Sequence, residues 1–117
     1  MNLFICYPKC STCQKAKKYL DSNNIEFVER DIKTNNPTKD ELNTWYKLSE
    51  QPLKKFFNTS GLLYKELGLK DKLSSMSEGE MLDILSTNGM LVKRPLLVND
   101  GMVIIGFSER DYQNLKV

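Results

Sequence analysis

The sequence predicts a small α/β fold in which a βαβ unit, a helical middle and a ββα unit follow one another. Three observations support this order. An apolar run at 2–7 precedes helical spacing at 12–23 and a second strand pattern at 25–32. Two capping boxes indicate helix starts in the middle of the chain. Near the end, Asn99-Asp100-Gly101 separates two short apolar runs, which is a strong hairpin signal.

The first unit is predicted from its apolar positions. The run at 2–7 is typical of a strand buried on both faces. From Thr12 onward, Cys13, Ala16 and Leu20 recur at helical spacing, with polar residues between them. Because a strand, a helix and a strand follow in so short a span, we expect parallel strands joined by a right-handed crossover.

A helical segment is predicted over about 37–88. The capping boxes at 38–41 and 77–80 are each followed by apolar residues on one helix face. The stretch 53–73 is rich in leucine and aromatic residues, but Asn58, Gly61 and Gly68 interrupt it, which favours short helices. Strands are predicted again on both sides of the hairpin turn, and Ser108 begins a short final helix that carries Tyr112.

Composition indicates one globular domain over residues 1–117. The 117 residues are 40% hydrophobic and 27% charged, with a formal net charge of +2. Neither disorder nor a basic surface for direct contact with nucleic acid is therefore expected. No apolar stretch approaches the roughly 20 residues of a membrane-spanning helix. The start of the chain has no basic n-region or cleavage site, so we expect a cytoplasmic protein without a signal peptide.

The three cysteines Cys6, Cys10 and Cys13 lie close together in the sequence, and the chain has no histidine. The lack of histidine excludes Ser-His-Asp and Cys-His catalysis. The motif from Cys10 through Ser11 and Thr12 to Cys13 follows a predicted strand and opens a predicted helix. A helix N-terminus has unpaired N–H groups and a partial positive charge, which favour a thiolate at Cys10. Cys13 follows within one turn, which suits attack by one thiol and resolution by the other.

Other interpretations of the cysteines stay open at this point. Cys10 and Cys13 could be small buried residues without a chemical role. A zinc site would need a carboxylate as a fourth ligand, so no metal is expected. Cys6 lies within the predicted strand and is interpreted as a core residue, with a resolving or regulatory role as the alternative.

Arg94 and Pro95 stand immediately before the third predicted strand. The guanidinium of Arg94 offers five fixed donors for an oxyanion or a carboxylate, and its charge would favour a nearby thiolate. The alternative is an ordinary exposed arginine beside a proline at a strand start.

Several segments together resemble a known family. The segment 7–17 reads Tyr-Pro-Lys-Cys-Ser-Thr-Cys-Gln-Lys-Ala-Lys after a strand, and this pattern resembles the ArsC/Spx family of thioredoxin-fold proteins. The segments 53–61, 64–67 and 89–95 look like the YusI-like branch of that family. The resemblance covers nearly the whole chain.

The resemblance implies a thioredoxin-like βαβ…ββα core with a helical insert in the middle of the chain. In the family's arsenate reductases, a cysteine at the position of Cys10 attacks arsenate and three arginines hold the oxyanion. Arg94 matches one of them, but the other two positions fall at Asn58 and Gly106. The resemblance therefore argues against genuine arsenate reduction. The family's proline before this strand is often cis, which would place Pro95 beside the CxxC motif.

Two functions follow as expectations. The first is a cytoplasmic thiol–disulfide oxidoreductase resembling arsenate reductases, with Cys10 as nucleophile and Cys13 as resolving thiol. Arg94, Pro95, Ser11 and Thr12 would stabilise the thiolate or the substrate, which would be a thiol or disulfide protein or a small oxyanion. No cofactor would be bound, and thioredoxin, glutaredoxin or a low-molecular-weight thiol would supply electrons. The alternative is a Spx-like transcriptional regulator whose redox-active disulfide controls binding to RNA polymerase. Either protein is expected to be a monomer.

Overall fold

A mixed four-stranded sheet forms the centre of the computed structural model, which describes residues 2–115. Its strands are β1 (Asn2–Cys6), β2 (Phe27–Asp31), β3 (Leu96–Val98) and β4 (Val103–Ile105), in the spatial order β2-β1-β3-β4. Strand β1 is parallel to β2 and antiparallel to β3, and β3 is antiparallel to β4. The predicted βαβ and ββ units are therefore confirmed as two halves of one sheet.

The helices follow the predicted order. They are α1 (Ser11–Ser22), α2 (Lys39–Ser49), α3 (Leu62–Glu66), α4 (Leu69–Lys72), α5 (Glu78–Thr87) and α6 (Glu109–Tyr112). Three single 3₁₀ turns lie at Leu53–Phe56, Leu73–Ser75 and Gly89–Leu91. The stretch 53–73 is broken into short helices because residues with poor helix propensity interrupt it, as predicted.

Both faces of β1 are buried, which confirms the interpretation of its apolar run. The alternation of side chains along a strand sends Ile5 to one face and Phe4 with Cys6 to the other. Ile5 packs in a cluster with residues of α2, α5 and the short helices, including the aromatic side chains of Trp45 and Phe56. Phe4 and Cys6 pack in a second cluster with α1 and α6. This second cluster contains the cysteines.

Both predicted capping boxes are present at the N-termini of α2 and α5. Thr38 accepts from the N–H of Glu41, and Ser77 accepts from the N–H of Glu80; each glutamate in turn accepts from the backbone of its capping residue. Glu41 also binds Arg30 of β2 through both carboxylate oxygens, at 2.7 and 2.9 Å. This ion pair attaches α2 to the edge strand.

Several element boundaries differ by one or two residues from the sequence predictions, and β1 ends at Cys6 rather than at position 7. The second strand begins at Phe27 rather than at Ile25, because Asn24 adopts a left-handed conformation (φ 56°) and Ile25 donates its N–H to the carbonyl of Leu20. The first helix is Ser11–Ser22 rather than 12–23, since Cys10 is its N-cap. None of the helices within residues 2–115 combines the length and apolarity that crossing a bilayer requires.

Candidate active site

Cys10 stands at the junction between the β1–α1 loop and the helix. Its backbone is extended (φ −86°, ψ 124°), it is the N-cap of α1, and no side-chain hydrogen bond caps the helix there. Its N–H donates to the carbonyl of Tyr7 at 2.9 Å, which closes a tight turn. Gln14 donates its amide to the carbonyl of Pro8 at 3.0 Å and ties the loop to the first turn of the helix. The thiol of Cys10 is thereby held, half-buried, at the unpaired N–H groups of a 12-residue helix.

The surroundings of Cys10 favour its thiolate. Burial by itself would raise the pKa of this thiol, but the N–H and thiol of Cys13, the N–H of Thr12 and the guanidinium of Arg94 together lower the pKa below its ordinary value. Ser11, the first helical residue, is exposed. The prediction of a thiolate-stabilising environment thus has a physical basis in the backbone of Thr12 and Cys13 and in the charge of Arg94.

Cys13 has the opposite character. Its side chain is only 2% exposed, and its sulfur accepts a hydrogen bond from the N–H of Tyr7 at 3.3 Å. Burial raises the pKa of Cys13 to about 12; the Tyr7 N–H and the charge of Arg94 oppose this rise, while the neighbouring Cys10 adds to it. The two thiols of the motif therefore differ in acidity. The half-buried thiol of Cys10 is the more acidic of the two, and the buried thiol of Cys13 keeps its proton at neutral pH.

Arg94 extends from the segment before β3 into this site. Its guanidinium carbon lies 5.2 Å from the ring centroid of Tyr7, within cation–π range. Its Nε and Nη1 atoms are buried and have no hydrogen-bond partner among residues 2–115. Buried guanidinium donors are normally paired, so these two are available to an anion. Arg94 is thus not the exposed surface arginine of the alternative interpretation.

The segment around Arg94 is hydrogen-bonded to Asn58 and Gly106, the two positions at which, by the resemblance, the arsenate reductases of the family have their other arginines. The Arg94–Pro95 peptide bond is cis, and the carbonyl of Pro95 accepts from the N–H of Gly106 at 2.8 Å. Asn58 donates its N–H to the carbonyl of Leu91 at 2.8 Å. The structure therefore brings Asn58 and Gly106 to the strand segment that carries Arg94, but neither supplies a cationic side chain.

Cys6 lies beneath the motif at the end of β1. Its side chain is 2% exposed, and its thiol donates to Oε2 of Glu29 at 3.6 Å. Burial, with the nearby carboxylate of Glu29 as a second cause, raises the pKa of Cys6 to about 12. Glu29 in turn pairs with Lys17 of α1 at 2.9 Å. The position agrees with a core cysteine that stays protonated.

Three contributors to the site were not found from the sequence: Tyr7, Glu29 and Tyr112. The Tyr7 N–H reaches Cys13 only because the loop turns back at Cys10. Glu29 lies 23 positions from Cys6 and meets it through the pairing of β1 with β2. Tyr112 was identified as a helix residue, and its hydroxyl is buried in the cysteine cluster. Only the strand register could have indicated Glu29.

No group of three or more Cys, Asp or Glu side chains within residues 2–115 is arranged to hold a metal ion. The described residues bring together a thiol with a lowered pKa, a buried thiol within one helical turn of it, and an arginine with two buried donors that have no partner among residues 2–115. Such a set can form and break disulfides and can bind an anion.

Comparison with known proteins identifies relatives that match most of the chain. Curated relatives include the uncharacterized protein YusI of Bacillus subtilis, 49% identical over 110 residues (94% of this chain, 93% of YusI). The regulatory protein MgsR of Bacillus subtilis is 31% identical over 90% of this chain and 82% of its own length. The global transcriptional regulator Spx of Streptococcus pneumoniae is 29% identical over 87% of this chain and 75% of its own length.

Solved structures agree with the sequence relatives. An ArsC family related protein from Bacteroides fragilis superposes with a TM-score of 0.96 at 55% identity, covering 98% of this chain and 97% of that chain. A possible arsenate reductase from Streptococcus mutans superposes with a TM-score of 0.88 at 46% identity, covering 97% and 98% of the two chains. The α/β fold with its thioredoxin-like core is thereby confirmed. The ArsC family model matches residues 6–115, and the chain belongs to the ArsC family.

Proposed function

We propose that this protein is a cytoplasmic thiol–disulfide oxidoreductase that uses Cys10 as its nucleophile and Cys13 as its resolving thiol. The observation that carries the proposal is the environment of Cys10. Its thiol stands at the N-terminus of α1, beside a guanidinium with two buried donors that have no partner among residues 2–115. A neutral buried thiol gains little from such an environment, whereas a thiolate gains from each charge-assisted contact.

The reaction proceeds by two thiol–disulfide exchanges. The Cys10 thiolate attacks one sulfur of a substrate disulfide, the substrate S–S bond breaks, and the second substrate sulfur leaves as a thiolate. Cys13 loses its proton to solvent and attacks the Cys10 sulfur, which breaks the mixed disulfide and releases the substrate as a dithiol. Two electrons have then passed to the substrate, and the protein holds a Cys10–Cys13 disulfide. Thioredoxin, glutaredoxin or a low-molecular-weight thiol returns it to the dithiol form.

The substrate we propose is a thiol or disulfide protein rather than arsenate. An arsenate ion carries charge on several oxygens and needs several fixed donors to compete with water. Arg94 supplies one guanidinium, and Asn58 and Gly106 supply none. A single attacking thiolate beside one arginine is sufficient for a disulfide, because only one sulfur develops charge as it leaves.

The test is to trap the mixed disulfide in cells with Cys13→Ser. This variant keeps the nucleophile and removes the resolving thiol, so we expect covalent complexes that reducing agent releases and that mass spectrometry identifies at Cys10. The matched control is the Cys10→Ser, Cys13→Ser double variant, which should yield none. Equal recovery from both variants would contradict the assignment of Cys10 as nucleophile.

A second candidate function rests on the relatives that are regulators. MgsR and Spx carry regulatory names and match most of this chain. In this alternative the disulfide state of Cys10 and Cys13 controls binding to RNA polymerase. Affinity capture of polymerase by the oxidised protein, with Cys10→Ser and the reduced protein as controls, distinguishes the two functions. A regulator binds polymerase in one redox state, and an oxidoreductase binds it in neither.

A further inference from the structure

The hydroxyl of Tyr112 is a buried polar group with no role in the proposed function so far. The side chain is 1% exposed, and its hydroxyl has no hydrogen-bond partner among residues 2–115. A buried hydroxyl without a partner has lost its hydrogen bonds to water and destabilises the folded state. Phenylalanine would fill the same space without this cost, so the hydroxyl calls for an explanation in another state of the protein.

The ring of Tyr112 is held in place by two aromatic neighbours. Tyr19 of α1 contacts it edge-on with 5.7 Å between ring centroids, and Phe107 does so at 4.8 Å. Tyr112 packs in the same buried cluster as Cys6 and Cys13. Apart from Tyr112 and these two cysteines, the buried members of this cluster are apolar: Phe4, Ala16, Leu20, Ile25, Leu97, Ile104 and Leu115. Among residues 2–115, the buried side chains of this cluster that can accept from the hydroxyl are therefore the sulfurs of Cys6 and Cys13.

The two sulfurs differ in what they can accept. The thiol of Cys6 already donates to Glu29, and a negative charge on Cys6 would be repelled by that carboxylate. Among residues 2–115 Cys13 has no carboxylate partner, and it accepts one hydrogen bond from the Tyr7 N–H. A neutral thiol is a weak acceptor, but a thiolate is a strong one. A donor near Cys13 therefore acts mainly after that thiol has lost its proton.

We propose that the Tyr112 hydroxyl donates a hydrogen bond to the Cys13 sulfur as it becomes a thiolate, and that it thereby assists the resolving step. This inference rests on the proposed function. The Tyr7 N–H and the Tyr112 O–H would form a two-donor site for the charge that develops on Cys13. Since the interaction is stronger for the thiolate than for the resting thiol, it lowers the barrier rather than stabilising the ground state.

The hydroxyl keeps its own proton throughout the step. Burial raises the pKa of Tyr112 well above its ordinary value, and the negative charges that Cys13 and Cys6 can carry raise it further. Tyr112 is therefore a hydrogen-bond donor and not a proton source. The bond that forms is Cys13–Cys10, the bond that breaks is Cys10–substrate, and the proton that Cys13 loses goes to solvent.

The resolving step can be observed separately with dithiobis(nitrobenzoate), because each cleavage releases one coloured thionitrobenzoate. The parent for this experiment is Cys6→Ala, which leaves only the two motif thiols. With one equivalent of reagent, a fast phase reports attack by Cys10, and a slower phase reports release by Cys13. We expect Tyr112→Phe to leave the fast phase within about twofold and to slow the second phase about tenfold, which corresponds to about 1.4 kcal/mol.

Tyr19→Phe is the matched control, because it also removes one hydroxyl from this aromatic group, and both phases should be unchanged. A second phase that is equally fast in Tyr112→Phe and in the parent would overturn the role of Tyr112. Equal slowing of both phases would also overturn it, since this would indicate a general structural effect. If the parent released only one thionitrobenzoate, the proposed Cys10–Cys13 pair itself would be wrong.

Discussion

Replacing Arg94 with methionine should make Cys10 less reactive while leaving the fold intact. The substitution keeps an unbranched side chain but removes the guanidinium, which lies over the ring of Tyr7 and lowers the pKa of Cys10. It also removes two buried donors that have no partner among residues 2–115, so no other residue in that range loses a bond to Nε or Nη1. The effect on reactivity is thus separated from an effect on stability.

The magnitude follows from one charge-assisted contact. Such a contact stabilises the thiolate by about 1.5 kcal/mol. At a pH below the pKa of the thiol, its loss therefore makes the thiolate population about tenfold smaller. The remaining thiolate is more nucleophilic because its pKa is higher, with a Brønsted coefficient of about 0.4–0.5. The two effects combine to a reaction rate about three- to fourfold slower.

The assay is alkylation by iodoacetamide at pH 5, with each cysteine peptide quantified by mass spectrometry. In the native sequence Cys10 should react first by a wide margin. A thiol with a pKa of about 12, as for Cys13 and Cys6, is ionised in only about one molecule in 10⁷ at pH 5. Arg110→Met, which removes an exposed arginine from α6, is the control and should have no effect. Unchanged reactivity of Cys10 in Arg94→Met, or earlier reaction of Cys13 or Cys6, would refute this reasoning.

Three further predictions concern substrate and stability. Arsenate-dependent oxidation of thioredoxin should be about 10²- to 10⁴-fold weaker in kcat/KM than for a dedicated reductase, because two arginines worth about 1.5–3 kcal/mol each are missing; comparable turnover that Cys10→Ser abolishes would contradict this. Arg30 lowers the pKa of Glu41 to about 2, so the pair stabilises the fold above about pH 4.5 and loses this effect as the pH falls toward 2. Glu41→Gln should therefore cost about 1 kcal/mol at pH 7, after allowance for partial exposure, and almost nothing at pH 2 by urea unfolding; a cost independent of pH would rule out the ion pair as its cause. Gly89→Ala should lower the free energy of unfolding by more than about 2 kcal/mol, since a Cβ there would lie 1.7 Å from the carbonyl oxygen of Ile32. Gly79→Ala in α5 is the control and should be neutral or stabilising, because a Cβ there has space. Equal stability of the two variants would contradict this close approach.

The local patterns of the sequence were sufficient for the order of the elements. The apolar run before Cys10, the capping boxes at Thr38 and Ser77 and the Asn99-Asp100-Gly101 turn each have a short-range physical cause, and the structure contains all four features. The exact start of β2 was not predictable in this way. It depends on the left-handed residue Asn24, which ends the helix without a glycine.

The chemistry of the site was predictable only where it depends on neighbours in the sequence. The position of Cys10 at a helix N-terminus follows from the motif itself, and the basic character of Arg94 follows from its residue type. The burial of Cys13, the Tyr7 hydrogen bond and the cluster around Tyr112 depend on how α1 and α6 pack against the sheet. The rings of Tyr19 and Tyr112, for example, meet in this cluster although the residues are 93 positions apart, and no local pattern specifies such contacts.

The central claim, that Cys10 and Cys13 form the reactive pair, is tested most directly by mapping the disulfides after mild oxidation. The purified protein is treated with one equivalent of an oxidised low-molecular-weight thiol, free thiols are blocked, and the linked peptides are identified by mass spectrometry. We predict a single Cys10–Cys13 bridge that dithiothreitol reverses, with Cys6 recovered as a free thiol because it is 2% exposed and hydrogen-bonded to Glu29. A dominant Cys6–Cys10 bridge, or no bridge between Cys10 and Cys13, would contradict the claim.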